Sequence, residues 1–222
     1  MNNKKMITLM IIGVIAVLTI PNLVQKHTEK NTVKKVQKFY STLSDAFSLA
    51  MKKNGPVSNW RLTDSGEAST EKIYEVLFKP YFKIAKNCGG DNDGNCIANV
   101  KYKFLNNSDS VNFGTSRKYY IIALDDGSSV CFGGEDSNIY IFYDINGAKG
   151  PNQWGRDLFD FGITYDSIIP TGIKDIDFKS FQTYCKTTSK GYACSTWIIY
   201  KGNMDYLHCD GLTWNSRSCK DK

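Results

Sequence analysis

Apolar and polar positions near the start of the chain follow two patterns in succession. The stretch from Met6 to Val24 contains no charged residue. Beyond it, apolar residues recur at alternating steps of three and four, which is the spacing of one face of an α-helix. This face is formed by Val33, Val36, Tyr40, Leu43 and Phe47. The pattern ends at Gly55-Pro56, because glycine accepts a left-handed cap and proline cannot continue a helix. We therefore predict one long helix from about Met6 to Asn54.

The uncharged first part of this helix has the length of a membrane span. As a helix it would be about 28 Å long, close to the thickness of the hydrocarbon layer. Lys4 and Lys5 precede it, which favours a cytoplasmic N-terminus. We expect a single-pass inner-membrane protein with a periplasmic or cell-surface head. A cleaved signal peptide is the alternative, although no Ala-x-Ala-like site follows the apolar stretch. Pro21 is expected to kink the helix.

The rest of the chain is predicted to form a sheet. Short runs rich in β-branched and aromatic residues lie between turn sequences such as Asp125-Asp126-Gly127. These runs are Val100–Phe104, Lys118–Leu124, Ser129–Phe132 and Ile139–Ile145. A long helix followed by an antiparallel meander is an α+β arrangement. We predict a membrane-spanning helix start over 1–25, its amphipathic half over 26–55, and an exported α+β head over 56–222.

Seven cysteines indicate disulfide bonds. No Cys-x-x-Cys pair occurs and the chain has only two histidines, so a zinc site is not indicated. Disulfides favour an oxidising compartment. Short spacing favours the pairs Cys88–Cys96, Cys185–Cys194 and Cys209–Cys219, with Cys131 left over. The last four cysteines allow three connectivities, so spacing is only a guide.

Charge and motifs exclude several classes of function. The net charge is +6, and lysines cluster just after the apolar stretch without the arginine–aromatic pattern of nucleic-acid binding. No nucleic-acid partner is therefore expected. The chain lacks a P-loop, a Gly-x-Ser-x-Gly elbow and a His-Glu-x-x-His motif. We predict that it is not an enzyme.

The segment from Ile7 to Phe47 resembles the N-terminal helix of type IV pilins and type II secretion pseudopilins. Gly13 and Pro21 fall where that family has a mid-membrane glycine and a kinking proline, and the apolar face from Val36 falls on the family's head-facing seam. The family's glycine–phenylalanine processing junction is absent. When Pro21 is aligned with the family proline, Lys4 stands at the position of the family's glutamate.

This resemblance implies a pilin-like fold, with a long helix packed on a small antiparallel sheet. It implies partners of three kinds: other pilin-like subunits, an inner-membrane assembly platform and membrane lipid. The helix surface used for membrane insertion and assembly would consist of Ile7, Leu9, Ile12, Gly13, Ile15, Leu18 and Pro21. The function implied is that of a structural subunit of a secretion or pilus filament. The alternative is a monomeric, membrane-anchored periplasmic binding module.

A polar loop carries the candidate metal ligands. The stretch from Asp144 to Phe161 resembles a pseudopilin loop that can bind calcium. Asp144, Asn146 and Asp157 would supply hard oxygen ligands of the kind calcium prefers. Turn formation by the Asp-x-Asn-Gly sequence is the competing interpretation, because such sequences form turns without a metal. No cofactor other than calcium is expected.

Overall fold

The computed structural model describes residues 3–60, 62, 67–116, 118–135, 138–164, 167–170 and 181–220. Side chains are described from residue 21 onward, except those of 67, 68, 135, 164, 181 and 182. Within this part of the chain, four α-helices and six strands are found. The helices are α1 (Asn3–Asn54), α2 (Glu67–Ile73), α3 (Phe181–Tyr184) and α4 (Cys194–Lys201). The strands are β1 (Ile84–Gly89), β2 (Tyr120–Leu124), β3 (Ser129–Glu135), β4 (Asn138–Asp144), β5 (Leu158–Thr164) and β6 (Ser167–Ile169).

Helix α1 ends where the sequence predicts. Gly55 has a φ of +77°, and its amide donates to the carbonyl of Met51 at 2.9 Å. A left-handed residue at this position costs little only for glycine. Pro56 follows directly and prevents further helix. Helix is assigned without interruption through Pro21.

The six strands form one antiparallel sheet in chain order, β1-β2-β3-β4-β5-β6. Each strand pairs with its sequence neighbours: β2–β3, β3–β4 and β5–β6 are joined by short connections, whereas the longer segments 90–119 and 145–157 join β1 to β2 and β4 to β5. Strands β2, β3 and β4 lie within the predicted runs or extend them by a few residues. The run Val100–Phe104 is not a strand. Of these residues, Lys103 alone makes isolated bridges, to Asp109 and Gln153, because this segment crosses the face of the sheet instead of joining its edge.

One face of the sheet packs against α1. Val130, Tyr143 and Phe159 are aligned on this face by the strand register. Phe39 of α1 lies 4.0 Å from Tyr143 between ring centroids, with the ring planes 3° apart. Only 4% of Phe39 is exposed. Aromatic stacking of this kind adds to the free energy gained by removing both rings from water.

The opposite face carries a second, mainly aromatic core. Ile121, Cys131, Phe142 and Asp160 lie in one row across β2 to β5. Tyr102 from the crossing segment Val100–Phe104 and Phe113 from the chain that follows it cover this row, and both are fully buried. Both faces of the sheet are therefore covered. This explains why consecutive residues of β3 and β4, whose side chains point to opposite faces, can both be apolar.

Three disulfides join Cys88 to Cys96, Cys185 to Cys194 and Cys209 to Cys219. These are the pairs that the short spacing favours. Cys131 is free and buried in β3. Burial raises the pKa of its thiol well above the usual range.

The predicted membrane anchor is wrong. Among the described residues, no helix combines the length and the apolar character needed to cross a membrane. In the part of α1 whose side chains are described, Lys26, Glu29 and Lys30 follow within three turns of Pro21, so this part is too charged to span a membrane. This finding contradicts the predicted single-pass inner-membrane localisation and the membrane half of the predicted fold. The side chains of Ile7, Leu9, Ile12, Gly13, Ile15 and Leu18 lie outside the described part of the chain.

Candidate functional site

The first described side chains of α1 form an exposed stem, which we define as Pro21–Asn31. All its residues are exposed except Glu29, which is half-buried. Two of the exposed residues are large and apolar: Leu23 is 71% exposed and Val24 is 58% exposed. Burial on the head begins at Thr32. The stem therefore leaves the head and presents apolar side chains to its surroundings.

The predicted seam lies on the head side of α1. Val33, Val36, Leu43 and Phe47 are buried, whereas Tyr40 is partly buried and stacks on Phe161. Phe39 was missed in the sequence, although its buried ring lies against Tyr143 at the centre of the contact. The signal was present, because Val36, Phe39 and Leu43 also follow the three–four spacing.

The stem is tied to the C-terminal segment through Glu29. His208 Nε2 lies 2.9 Å from each carboxylate oxygen of Glu29. Gln25 also donates to Glu29 Oε1 at 3.0 Å. Asp205, which lines the same small cleft, accepts a hydrogen bond from the Cys219 amide at 2.7 Å. The last disulfide loop is thereby held next to the stem.

The three predicted metal ligands do come together, between the end of β4 and the start of β5. Asp144 is fully buried and Asp157 is 2% exposed. Asp157 accepts hydrogen bonds from the amides of Asn152 at 2.7 Å and Gln153 at 2.6 Å. Asn146 Nδ2 donates to the carbonyl of Gly150 at 3.0 Å and lies 3.4 Å from Asp157 Oδ2. The loop is thus folded around the Asp157 carboxylate.

Asp144 has a different set of partners. The hydroxyl of the fully buried Tyr102 donates to Asp144 Oδ2 at 2.6 Å, and the backbone amide of Asn146 donates to Oδ1 at 3.0 Å. Burial, and after it the charge of Asp157, raises the pKa of Asp144 to about 7. Burial also raises the pKa of Asp157, against the opposing effect of its amide donors. Two carboxylates in this environment repel each other when both are ionised, so the site favours a proton or a cation.

The loop offers oxygen donors of the kind that calcium prefers. Besides the two carboxylates, the amide oxygens of Asn146 and Asn152 are buried without a hydrogen-bond partner. Rotation of the Asn146 amide by 180° would bring its oxygen to the Gly150 carbonyl and Asp157, an arrangement that a cation would stabilise. Within the described ranges, no cluster of three or more His, Cys, Asp or Glu side chains could hold a metal. A calcium ion here would be held by Asp144 and Asp157 together with amide and carbonyl oxygens.

A family model covers most of this architecture. It matches residues 22–202 and describes a family of unknown function, DUF6613. The chain belongs to DUF6613. The matched region contains the head-facing part of α1, all six strands and the loop between Asp144 and Asp157. The Cys209–Cys219 disulfide and His208 lie beyond it. No curated protein and no solved structure matches the chain.

Proposed function

We propose that this DUF6613 protein is a pilin-like structural subunit of a type II secretion or type IV filament system. Its N-terminal helix would associate with the same helix in other pilin-like subunits, and the disulfide-bonded head would lie outside the contact. The role is mechanical and not catalytic. The observation that carries the proposal is the exposed stem, where α1 continues beyond the head with Leu23 and Val24 in solvent.

The energetics of the stem support association. Most of the stability of a helix in a protein comes from packing its apolar face against partners. From Thr32 onward, α1 obtains such partners from the sheet, but the stem does not bury its apolar side chains on the head. Contact with a second helix would bury Leu23 and Val24, each contributing about 1.5–3 kcal/mol when fully removed from water. Self-association would therefore remove these two side chains from water.

The head supports the same role. Helix α1 packs across a simple antiparallel meander. The disulfides Cys88–Cys96 and Cys185–Cys194 close short loops in the segments that precede β2 and follow β5 in the chain. A rigid head attached to one end of a helix allows identical helices to pack side by side while the heads remain apart. This arrangement agrees with the resemblance of the α1 sequence to pilin-like helices.

Sedimentation velocity of the full chain over a range of concentrations tests the proposal. We expect concentration-dependent association, and the double substitution Leu23→Gln with Val24→Gln should weaken it at least tenfold. Leu49→Gln is the matched control, because Leu49 lies on the same helix and is 50% exposed, but belongs to the head. This control should associate like the wild-type protein.

Two results would count against the proposal. A wild-type chain that remains monomeric at every concentration would favour the monomeric binding module. Equal weakening by the stem and Leu49 substitutions would show that association does not depend on the stem. Negative-stain imaging of the associated wild-type protein should show linear assemblies and not closed dimers.

A further inference from the structure

A cavity of about 480 Å³ lies on the face of the sheet opposite α1. Aromatic side chains from the strands, the crossing segment and the loop before α4 form most of its walls. They include Phe104, Phe113, Tyr119, Phe142, Trp154 and Tyr192. This volume is within the range of small-molecule sites. Among its described lining residues, Trp154 belongs to the loop between Asp144 and Asp157, but neither the stem nor Asp144, Asn146 or Asp157 lines the cavity.

The rings are arranged as a box. Trp154 meets Tyr192 at 84° and Phe142 at 79°, with centroids 4.9 and 5.6 Å away. Tyr119 meets Phe142 at 83°. Neighbouring rings at right angles turn their faces in different directions around one space. Such a box fits a compact, roughly spherical group better than a flat ring or sugar.

The backbone of β3 makes room for one wall of the box. A Cβ atom at Gly133 would lie 2.9 Å from the Lys118 carbonyl and 3.2 Å from the Tyr119 ring. Glycine therefore permits Tyr119 to lie close against β3. The strand register places Gly133 opposite Tyr140, which also lines the cavity and is 37% exposed. The opening is consequently flanked by a tyrosine that solvent can reach.

A carboxylate supplies the charge of the cavity. Asp160 lines it and is 1% exposed. Its Oδ1 accepts from the Ser195 hydroxyl at 3.3 Å, and its backbone amide donates to the same hydroxyl at 3.1 Å. Asp109 adds a second carboxylate among the lining residues. Among the described residues that line the cavity, none is lysine or arginine.

The ammonium group of Lys190, a residue that does not line the cavity, already lies against two of these rings. Lys190 Nζ is 5.1 Å from the centroid of Phe104 and 5.8 Å from that of Tyr192. Both distances fall within the range of cation–π attraction. These rings therefore accept a cation in the folded protein, and Lys190 is exposed and can move away.

We propose that this aromatic cavity binds a small alkylated ammonium group, such as a quaternary trimethylammonium head. Ring faces attract the diffuse charge, apolar walls take the methyl groups, and Asp160 balances the charge. A quaternary ammonium has no N–H donor to satisfy, so the shortage of acceptors in an aromatic box costs it little. The proposal concerns ligand binding by the head and is independent of filament assembly.

Calorimetric titration of the full chain with choline tests this inference. The decisive control is 3,3-dimethylbutan-1-ol, which has the same shape as choline but no charge. We expect choline to bind at least tenfold more tightly than the neutral alcohol. The indole N–H of Trp154, which donates to Ser110 Oγ at 3.0 Å, should shift in a nitrogen–proton NMR spectrum when choline is added. Equal affinity for both compounds, or no binding of choline, would overturn the proposal.

Two substitutions with opposite expected effects on choline affinity distinguish an electrostatic contribution from damage to the fold. Asp160→Asn keeps the shape of the side chain and should weaken choline binding about tenfold. Lys190→Ala removes a competing cation and should strengthen it about two- to fivefold. Asp125→Asn is the matched control, because Asp125 lies in the exposed turn between β2 and β3 and does not line the cavity, and it should change affinity less than twofold. Weakening by all three substitutions would contradict the charge argument, and the comparison of choline with its neutral analogue holds even if Asp160→Asn does not fold.

The source of the ammonium group is decided by a vesicle experiment. Sedimentation of the protein with phosphatidylcholine vesicles, inhibited by free choline, would assign a lipid head group. Choline binding without vesicle sedimentation would assign a free solute. Both results require that the cavity recognises the trimethylammonium group.

Discussion

Glu29 and His208 link two segments that are 179 residues apart, with His208 Nε2 at 2.9 Å from both oxygens of the Glu29 carboxylate. Glu29 belongs to the exposed stem, and His208 follows the last short helical turn, Asp205–Leu207. The side chains are 18% and 39% exposed, respectively. The pair fixes the C-terminal disulfide loop to the base of the stem.

Removal of this pair should loosen the C-terminal segment with little effect on global stability. Glu29→Gln is expected to lower the free energy of unfolding by at most about 1 kcal/mol, because partly solvated pairs contribute little. Hydrogen exchange of the Cys219 amide, which is bonded to Asp205, should become faster. Glu75→Gln breaks the exposed pair with Lys79 and serves as the control. Unchanged exchange at Cys219 in Glu29→Gln would show that the disulfide alone holds the segment.

The contact between Phe39 and Tyr143 should dominate the attachment of α1 to the sheet. Phe39→Ala removes a ring that is stacked at 4.0 Å and leaves a cavity. We expect a loss of about 3–5 kcal/mol in the free energy of unfolding, measured by chemical denaturation. Leu49→Ala on the same helix should cost less than about 0.5 kcal/mol. A similar cost for both substitutions would mean that the head does not depend on this seam.

Asp144 predicts a specific pH dependence of stability. Its pKa in the folded protein is about 7, whereas that of an exposed aspartate is near 4. The folded state therefore holds this proton more tightly than the unfolded chain. The contribution is fully present below about pH 4 and is lost as the pH rises through about 7. The complete shift corresponds to a loss on the order of 4 kcal/mol.

Chemical denaturation at several pH values checks this sign. Asp144→Asn cannot ionise, so its stability relative to the wild-type protein should improve between pH 4 and pH 8. Asp125→Asn, in the exposed turn between β2 and β3, should keep a constant difference from the wild-type protein. Parallel profiles for Asp144→Asn and the wild-type protein would contradict the assignment.

Calcium binding by Asp144, Asn146 and Asp157 remains a prediction with a direct test. Calcium should raise the melting temperature of the wild-type protein at neutral pH, because a ligand at a hundred times its dissociation constant stabilises by about 2.7 kcal/mol. Asp157→Asn should abolish the increase, while Asp125→Asn should retain it. Sodium chloride at matched ionic strength controls for screening. Identical melting temperatures with and without calcium would exclude a calcium site in this loop.

Features of the structure that are set by residues close together along the chain could be predicted from the sequence. The end of α1 follows from Gly55-Pro56, and the disulfide pairs follow from cysteines eight to ten positions apart. The hairpins follow from turn residues between apolar runs. In each case, the interacting groups are close along the chain, so few alternative geometries compete. The antiparallel order could be anticipated for the same reason.

Contacts between distant residues required the tertiary structure. Val100–Phe104 has the composition of a strand, yet it crosses a sheet whose edges are formed elsewhere. Phe39 and Tyr40 both fit the three–four spacing of the seam, and the orientation of α1 on the sheet buried Phe39 more deeply. The aromatic cavity could not be predicted, because its walls come from several segments and only the strand register brings Phe142 beside Asp160.

The sequence by itself determined local features: the end of α1, the turn between β2 and β3, and the pairing of cysteines. The tertiary structure decided which side of each element is buried, where Asp144 meets Tyr102, and which aromatic rings enclose Asp160. The physical reason is how far apart in sequence the interacting residues lie. Local elements are set by backbone preferences and short loops, whereas a site depends on the register of strands and on helix packing, which many residues determine together.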